Sequence, residues 1–338
     1  MFIKMKYIKL MVILAFACSV GKTQDPQFSQ FYSSPLYLAP SFAGAAGNGR
    51  VILNFRDQWP QLTSTFVTYA FSADYYYDKY RSGIGLLVLR DQAGEEGMMN
   101  STNIGLLYSY NFDINQKWSI RPGLSAYYYT KAINSSAFRF GDQILRGDNN
   151  GNAGSSVEMT AIQNMEPVSH FDFTTSVIAY SETYWFGFTL DHLMYYSEIL
   201  SDQGDYLPPR YSVFGGAKYM IFGNTLKRKE ESITVALNFM TQNRLKYLDL
   251  GLYYTKAPII FGIWYRGLPI FPNNPNVGAL TLSVGIKHKG IQIGYSYDFT
   301  LSRLVNQTGG AHEISMSYTF NEQKKRKTKH NMVPCPGM

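Results

Sequence analysis

Residues 291–320 read IQIGYSYDFTLSRLVNQTGGAHEISMSYTF, and this stretch decides the fold. Ile291, Ile293, Tyr295, Tyr297 and Phe299 alternate with Gln292, Gly294, Ser296 and Asp298. Beyond the polar, Gly-paired stretch from Asn306 to Gly310, Ile314, Met316, Tyr318 and Phe320 alternate with Ser315, Ser317 and Thr319. A period of two places one set on each face of an extended strand and is incompatible with a helical stripe. The two halves therefore form a hairpin with one apolar and one polar face. Half-buried sheets in water alternate in the same way, so the rest of the chain must decide between a soluble sheet and a wall that faces lipid.

Composition favours lipid. Charged residues make up 16% of the chain and aromatics another 16%, with 27 Tyr and 22 Phe. Soluble proteins average roughly 25% charged residues, and an excess of Tyr suits a surface that meets lipid headgroups. No apolar run after the N-terminus reaches the ~18 residues of a spanning helix. A bilayer crossing must then be made of strands. From Arg50 to Phe320 about fourteen strand-like segments follow one another with no amphipathic helix between them, an even number in the range of outer-membrane barrels. Ile233, Val235, Leu237 and Phe239, and later Leu280, Leu282, Val284 and Ile286, alternate as cleanly as the closing hairpin, whereas Arg210 to Ile221 alternates poorly.

The connections give an independent test, because a barrel places short turns and long loops at opposite ends. Links such as Asp113 to Lys117, Ser181 to Thr183 and His288 to Gly290 are brief. Those at Asp91 to Ser101, Thr130 to His170, Asp191 to Pro209, Arg266 to Val277 and Thr300 to His312 are long, and the two kinds alternate. Asn243 to Lys246 and Phe222 to Glu231 break the rule. The link from Thr130 to His170 would be an external loop or a partial plug. Tyr75 to Tyr77, Tyr108, Tyr110, Tyr127 to Tyr129, Tyr253 and Tyr254 cluster near strand ends, where interfacial girdles sit.

The expected organisation is an all-β transmembrane antiparallel barrel over residues 49–320, preceded by a signal peptide (1–23) and an irregular strap (24–48) and followed by a basic tail (321–338). Lys4, Lys6 and Lys9 ahead of the apolar run Leu10 to Ala17 have the layout of an export signal. Ala15-Phe16-Ala17 and Thr23/Gln24 offer cut sites, and Cys18 after Ala17 raises lipidation without the usual Leu three residues before it. In the strap, Pro26, Pro35 and Pro40 forbid a continuous helix or central strand, yet Phe28, Phe31, Tyr32, Tyr37 and Phe42 demand cover. It would line the barrel wall, meet a partner, or serve as a linker. The net charge of +7 resides in the leader and in Lys324, Lys325, Arg326, Lys327 and Lys329, leaving a nearly neutral body. A nucleic-acid-binding domain would carry its basic face on the fold itself.

Chemistry is sparse. Asp191-His192 and His312-Glu313 each pair an imidazole with a carboxylate, but neighbours on a strand point to opposite faces. Neither G-x-S-x-G nor H-E-x-x-H occurs, and no His or Cys pair has metal-ligand spacing. We expect no enzyme activity and no cofactor. Asp249, Lys287 and Asp298 would line a channel or pair inside a plugged barrel.

Asp25-Pro26-Gln27-Phe28-Ser29-Gln30, Pro40-Ser41-Phe42-Ala43-Gly44, Arg56-Asp57-Gln58-Trp59, the closing GYSYDFTLSRL, Gly309-Gly310 and His312-Glu313-Ile314-Ser315 together resemble the PorP/SprF family of the type IX secretion and gliding apparatus. The family usually has Asn-Pro-Ala-Tyr-Ala-Gly where Ala39 to Gly44 stand, and often Arg-Gln-Gln-Trp where Arg56 to Trp59 stand. The resemblance implies a non-enzymatic outer-membrane barrel that helps export a secreted surface adhesin or filament protein or holds it at the surface. It also implies periplasmic contact with a peptidoglycan-binding lipoprotein and the motor ring, with both termini on that side. Partner-binding candidates are Phe28, Phe31, Tyr32, Arg303, Gly309, Gly310 and His312; candidates for periplasmic docking are Lys324, Lys325, Arg326, Lys327 and Cys335. The alternative role is a passive channel for small solutes.

Overall fold

The computed structural model describes residues 25–94, 97–138, 165–194, 207–223, 230–243, 245–267, 278–301, 308–320 and 333–334. Its strands are β1 (Gly49–Gln58), β2 (Phe66–Tyr77), β3 (Ser82–Ala93), β4 (Met99–Tyr110), β5 (Phe112–Asp113), β6 (Ser119–Ile133), β7 (Val168–Tyr180) and β8 (Tyr184–Asp191). They continue with β9 (Arg210–Gly223), β10 (Glu230–Gln242), β11 (Leu245–Lys256), β12 (Ile259–Arg266), β13 (Ala279–His288), β14 (Ile291–Thr300) and β15 (Ala311–Phe320). The fragment β5 continues β4 beyond Asn111, and both pair with β6. Fourteen staves result, each antiparallel to its neighbours in chain order.

Closure is made by the last hairpin, residues 291–320. β15 pairs with β1 over its whole length, from Gly49 opposite Phe320 to Gln58 opposite Ala311. A closed sheet has no free edge, which is what allows strands to sit in a medium that cannot hydrogen-bond them. The seam continues past the strand ends, where Trp59 N–H donates to the Gly310 carbonyl at 2.8 Å.

The distribution of side chains inverts that of a soluble protein. Along β15, Glu313, Ser315 and Ser317 are buried while Ile314, Met316 and Tyr318 are exposed. The same polar-in, apolar-out order holds along β14, where Gln292, Ser296 and Asp298 are buried and Ile291, Ile293, Tyr295 and Phe299 are exposed. Alternation alone left open which face would be covered. The interior is the polar face, so the apolar face is the outer wall and belongs against lipid. Among the described residues no helix is long and apolar enough to cross a membrane; the strands make the crossing.

Two belts of aromatic contacts ring the outer wall. At the end with short turns stand Tyr75 with Tyr77, Tyr110 with Phe112, Tyr184 with Tyr219, and Tyr318 with Phe320. At the other end stand Phe55 with Tyr69, Tyr128 with Phe171, and Tyr297 with Phe299. The tyrosine clusters of the sequence are thus only partly girdle. Tyr76, Tyr127 and Tyr253 take the alternate positions of their strands and are buried in the interior.

The weak alternation of Arg210 to Ile221 has a packing cause. Trp185 on β8 turns inward and its ring lies across Gly216, where a Cβ would stand 2.4 Å from it. Gly216 makes room for that ring, and with Gly215 and Ala217 on the other face, opposite Phe186 and Tyr184, the run of small residues erases the pattern. Further along, β9 shifts register against β10 between Glu231 and Ser232, so Ile221 drops out of the pairing as a bulge.

Candidate functional site

Residues 28–45 occupy the interior of the barrel. Prolines divide the segment into a 3-10 turn (Phe31–Ser33), one short helix (Pro35–Leu38) and a second 3-10 turn (Pro40–Phe42). Pro35 and Pro40 each sit at the first turn of their element, where a missing N–H costs nothing. Such a compact, kinked rod fits across a lumen where a strand would be too flat. Tyr32, Leu36, Leu38, Ala39, Phe42 and Ala43 form one apolar cluster with inward side chains of the wall, including Leu87, Leu107, Ile178, Trp185, Phe214 and Trp264. Leu36, Ala39, Ser41, Phe42 and Ala43 have 0% exposure, so the middle of the lumen is filled.

The wall is shaped to receive this plug. A Cβ on Gly123 would stand 2.3 Å from the Ser41 nitrogen, and one on Gly83 only 2.1 Å from the Ala43 carbonyl oxygen. Wall hydroxyls and carboxylates satisfy plug backbone groups that the turns leave open. Ser109 Oγ donates to the Ala43 carbonyl at 2.7 Å, Thr189 Oγ1 to the Leu38 carbonyl at 3.2 Å, and the Ser41 N–H donates to Ser176 Oγ at 2.8 Å. Gly44 N–H donates to Asp74, which also pairs with Arg50. Side chains of the plug take part as well. Trp185 Nε1 donates to the Tyr32 hydroxyl at 2.5 Å, and the Tyr253 hydroxyl donates to Gln30 Oε1 at 2.8 Å. Most buried polar groups in folded proteins are paired in this way.

Two charged clasps hold the other end of the plug. In the first, Asp25 accepts from Arg210 Nη1 at 2.8 Å and pairs with His192 Nε2 at 2.9 Å; Arg210 Nε reaches Asp191 at 2.9 Å and His192 Nδ1 reaches Asp172 at 2.7 Å. Arg210 also lies over the Tyr37 ring, and the Tyr37 hydroxyl donates to the Pro26 carbonyl. In the second clasp, Glu313 accepts from the Ser29 N–H and from Ser33 Oγ, while Arg56 bonds Ser29 Oγ and pairs with Asp298 and Glu313. Arg266 donates to the carbonyls of Phe28 and Ser29 and pairs with Asp249 and Asp298. Asp249 and Asp298 thus pair inside a plugged barrel. Asp191 and His192 turn to different partners, as do His312 and Glu313.

The first clasp makes stability depend on pH. Burial works to neutralise the His192 imidazole, but the Asp25 and Asp172 carboxylates outweigh it and its pKa is pushed up to about 10. Burial would likewise raise Asp25, yet His192 and Arg210 hold it well below the usual carboxylate range. The histidine contribution is complete below its unfolded value of 6.5 and is lost as pH rises through about 10. That of Asp25 is present above 3.8 and is lost as pH falls toward its lowered value. The heat-unfolding midpoint of the purified protein should therefore fall between pH 7 and 10, and His192→Gln should flatten that fall. A midpoint in wild type that stays level over this range would contradict the clasp.

Above the plug, at the end with long connections, the lumen opens into a vestibule of about 520 Å³ floored by Asp25, Pro26 and Gln27. Trp59, Phe66, Tyr129 and Val168 stand on its walls beside Thr68, Asp91, Asn103 and Lys131. At the opposite end Val333 from the C-terminal tail packs into the plug cluster and donates its N–H to the Ala45 carbonyl at 3.2 Å. Among the described residues no group of three or more His, Cys, Asp or Glu is placed to hold a metal ion.

The candidates named from sequence separate in space. Phe28 and Tyr32 are buried and Phe31 packs on Trp264, so all three face the wall from within. Gly309 and Gly310 lie at the closing seam; His312 faces outward, its Nδ1 2.8 Å from the Tyr295 hydroxyl. Arg303, Lys324, Lys325, Arg326, Lys327 and Cys335, like the leader with Cys18 and most of the link from Thr130 to His170, lie outside the described residues. Sequence reasoning missed Arg56, Arg266, Arg210 and His192 as a set. The available signal was the inward phase of Arg56, Arg210 and Arg266 on their strands, with His192 following directly on the end of β8.

Solved structures with a similar fold include the CymD monoaromatic hydrocarbon channel, 12% identical with a TM-score of 0.47 over 85% of this chain and 93% of that one. The P. putida toluene transporter TodX is 11% identical with a TM-score of 0.47, over 86% of this chain and 95% of that one. At this level of likeness they bear on neither substrate nor transport. No curated protein matches the chain. A family model described as type IX secretion system membrane protein PorP/SprF matches residues 20–318.

Proposed function

With residues 20–318 of 338 matched, the protein belongs to the PorP/SprF family of type IX secretion system membrane proteins, and from that premise we propose that it supports export or surface anchoring of a cognate secreted adhesin or filament protein. The observation that carries this reading is the filled lumen. A passive channel for solutes needs a continuous wet path, whereas here the core of the barrel is packed by the chain's own residues 28–45. A barrel closed in this way serves better as a non-catalytic membrane platform than as a pore.

In this reading the long connections and the vestibule face outward and present the platform to the exported protein. The short turns face the periplasm. Val333 packs against the plug at that end, and in the same reading the C-terminal tail meets a peptidoglycan-binding lipoprotein and the motor ring there. The path of residues before Asp25 lies outside the described residues.

Deletion of the gene should remove the cognate protein from the cell surface and leave it in the periplasm, with recovery on complementation; surface labelling and fractionation read the outcome. Unchanged export and attachment in the deletion strain would overturn the proposal.

A further inference from the structure

One wall of the vestibule carries acceptors with too few donors. Asp91 on β3 and Asn103 on β4 both line it, and the register that sets Leu89 opposite Asn103 and Asp91 opposite Ser101 makes them diagonal neighbours on one face. Among the described residues the Asp91 carboxylate has one partner, the Thr68 hydroxyl at 2.5 Å, and no cation pairs with it. Asn103 is only 7% exposed, and its Oδ1 has no hydrogen-bond partner. A buried amide oxygen left open costs free energy comparable to a lost hydrogen bond. It marks a place where a donor from outside would gain.

The charged groups that line the vestibule balance in number, Asp25, Asp91 and Asp298 against Arg56, Arg266 and Lys131. Arg56 and Arg266 are held by ion pairs within the second clasp. What the wall offers an incoming group is therefore local: a carboxylate and an amide oxygen side by side with acceptor capacity to spare.

We propose that the vestibule is a receptor for a basic side chain, Lys or Arg, borne next to an apolar residue on the exported partner. This rests on the functional reading above and names the chemistry by which the partner is gripped. The cationic head donates to the Asp91 carboxylate and to Asn103 Oδ1, since an ammonium or guanidinium carries several donors and no acceptor. The apolar neighbour packs against Trp59 and Phe66. A volume of about 520 Å³ exceeds what a single side chain fills, which argues for a peptide over a free amine.

The test uses purified full-length protein in detergent with two fluorescent probes, acetyl-Leu-Lys-Leu-amide and acetyl-Leu-Glu-Leu-amide, and spermidine as competitor. The lysine probe should bind roughly tenfold more tightly than the glutamate probe, and Asp91→Asn should remove about that factor while heat-shifted gel migration stays unchanged. Asn103→Ala should give a smaller loss. Equal binding of the two probes, or unaltered affinity in Asp91→Asn, would overturn the proposal, as would spermidine competing at the lysine probe's own affinity. The two readings fail separately: probes bound alike by a protein whose gene is needed for export sink the receptor alone, and selective binding by a protein dispensable for export sinks the functional reading alone.

Discussion

Replacing Arg56 with alanine should lower the free energy of unfolding by about 3–5 kcal/mol, the cost of leaving buried charge without its partner. Its guanidinium lies 2.9 Å from Asp298 and 3.5 Å from Glu313 and also bonds Ser29 of the plug. Both carboxylates are buried. Once Arg56 is gone, Arg266 is the cation left to this clasp, 3.8 Å from Asp298 and already committed to Asp249. Arg56→Lys should recover only part of the loss, because an ammonium cannot present the planar fork that spans two carboxylates and a hydroxyl. The double variant Arg56→Ala with Glu313→Gln should lose less than the two single effects together, since it removes one of the stranded charges. Urea unfolding in detergent measures all of these, and a loss under about 1 kcal/mol for Arg56→Ala would mean that the clasp is solvated.

The second large effect concerns conduction. Deleting residues 26–44 should turn a silent barrel into a steady conductor, raising single-channel current in planar bilayers by roughly tenfold or more over the intact protein. A closed barrel of about eight strands is filled by its own side chains, whereas sixteen to eighteen leave an aqueous channel. Fourteen staves fall between these limits, so inward residues alone cannot close the lumen and the plug supplies the missing volume. A milder lesion acts on the same contact. Gly123→Leu forces a Cβ within 2.3 Å of the Ser41 nitrogen and should loosen the segment without removing it. Conductance of the leucine variant should lie between those of the intact and deleted forms.

Much of this barrel was legible in the residues. Strand positions followed from alternation, since the period of two is a property of the extended chain itself. The antiparallel order followed from the alternation of short and long links, and the closing partner of β15 from the need to leave no free edge. The plug was half legible. Pro26, Pro35 and Pro40 excluded a strand, and Phe28, Phe31, Tyr32, Tyr37 and Phe42 required cover. That the cover is the lumen could not be read, because no local pattern encodes contacts such as Ser41 with Ser176 or Ser29 with Glu313, 135 and 284 residues apart in the chain.

The clasps were hidden for a related reason. Arg56 on β1 meets Glu313 and Asp298 only because the sheet closes, whereas Arg210 and Arg266 pair with Asp191 and Asp249 on the strand next to their own. Alternation gave their inward phase but not their partners. Tyr76, Tyr127 and Tyr253 show the opposite failure. Their position near strand ends suggested a membrane girdle, and their phase sent them to the interior.

The central claim is that the barrel is closed by its own N-terminal segment, and single-channel recording on the intact, full-length protein tests it most directly. The intact protein should give no steady conductance, and deletion of residues 26–44 should give a stable open level. A steady open level from the intact protein, unchanged by that deletion, would contradict it.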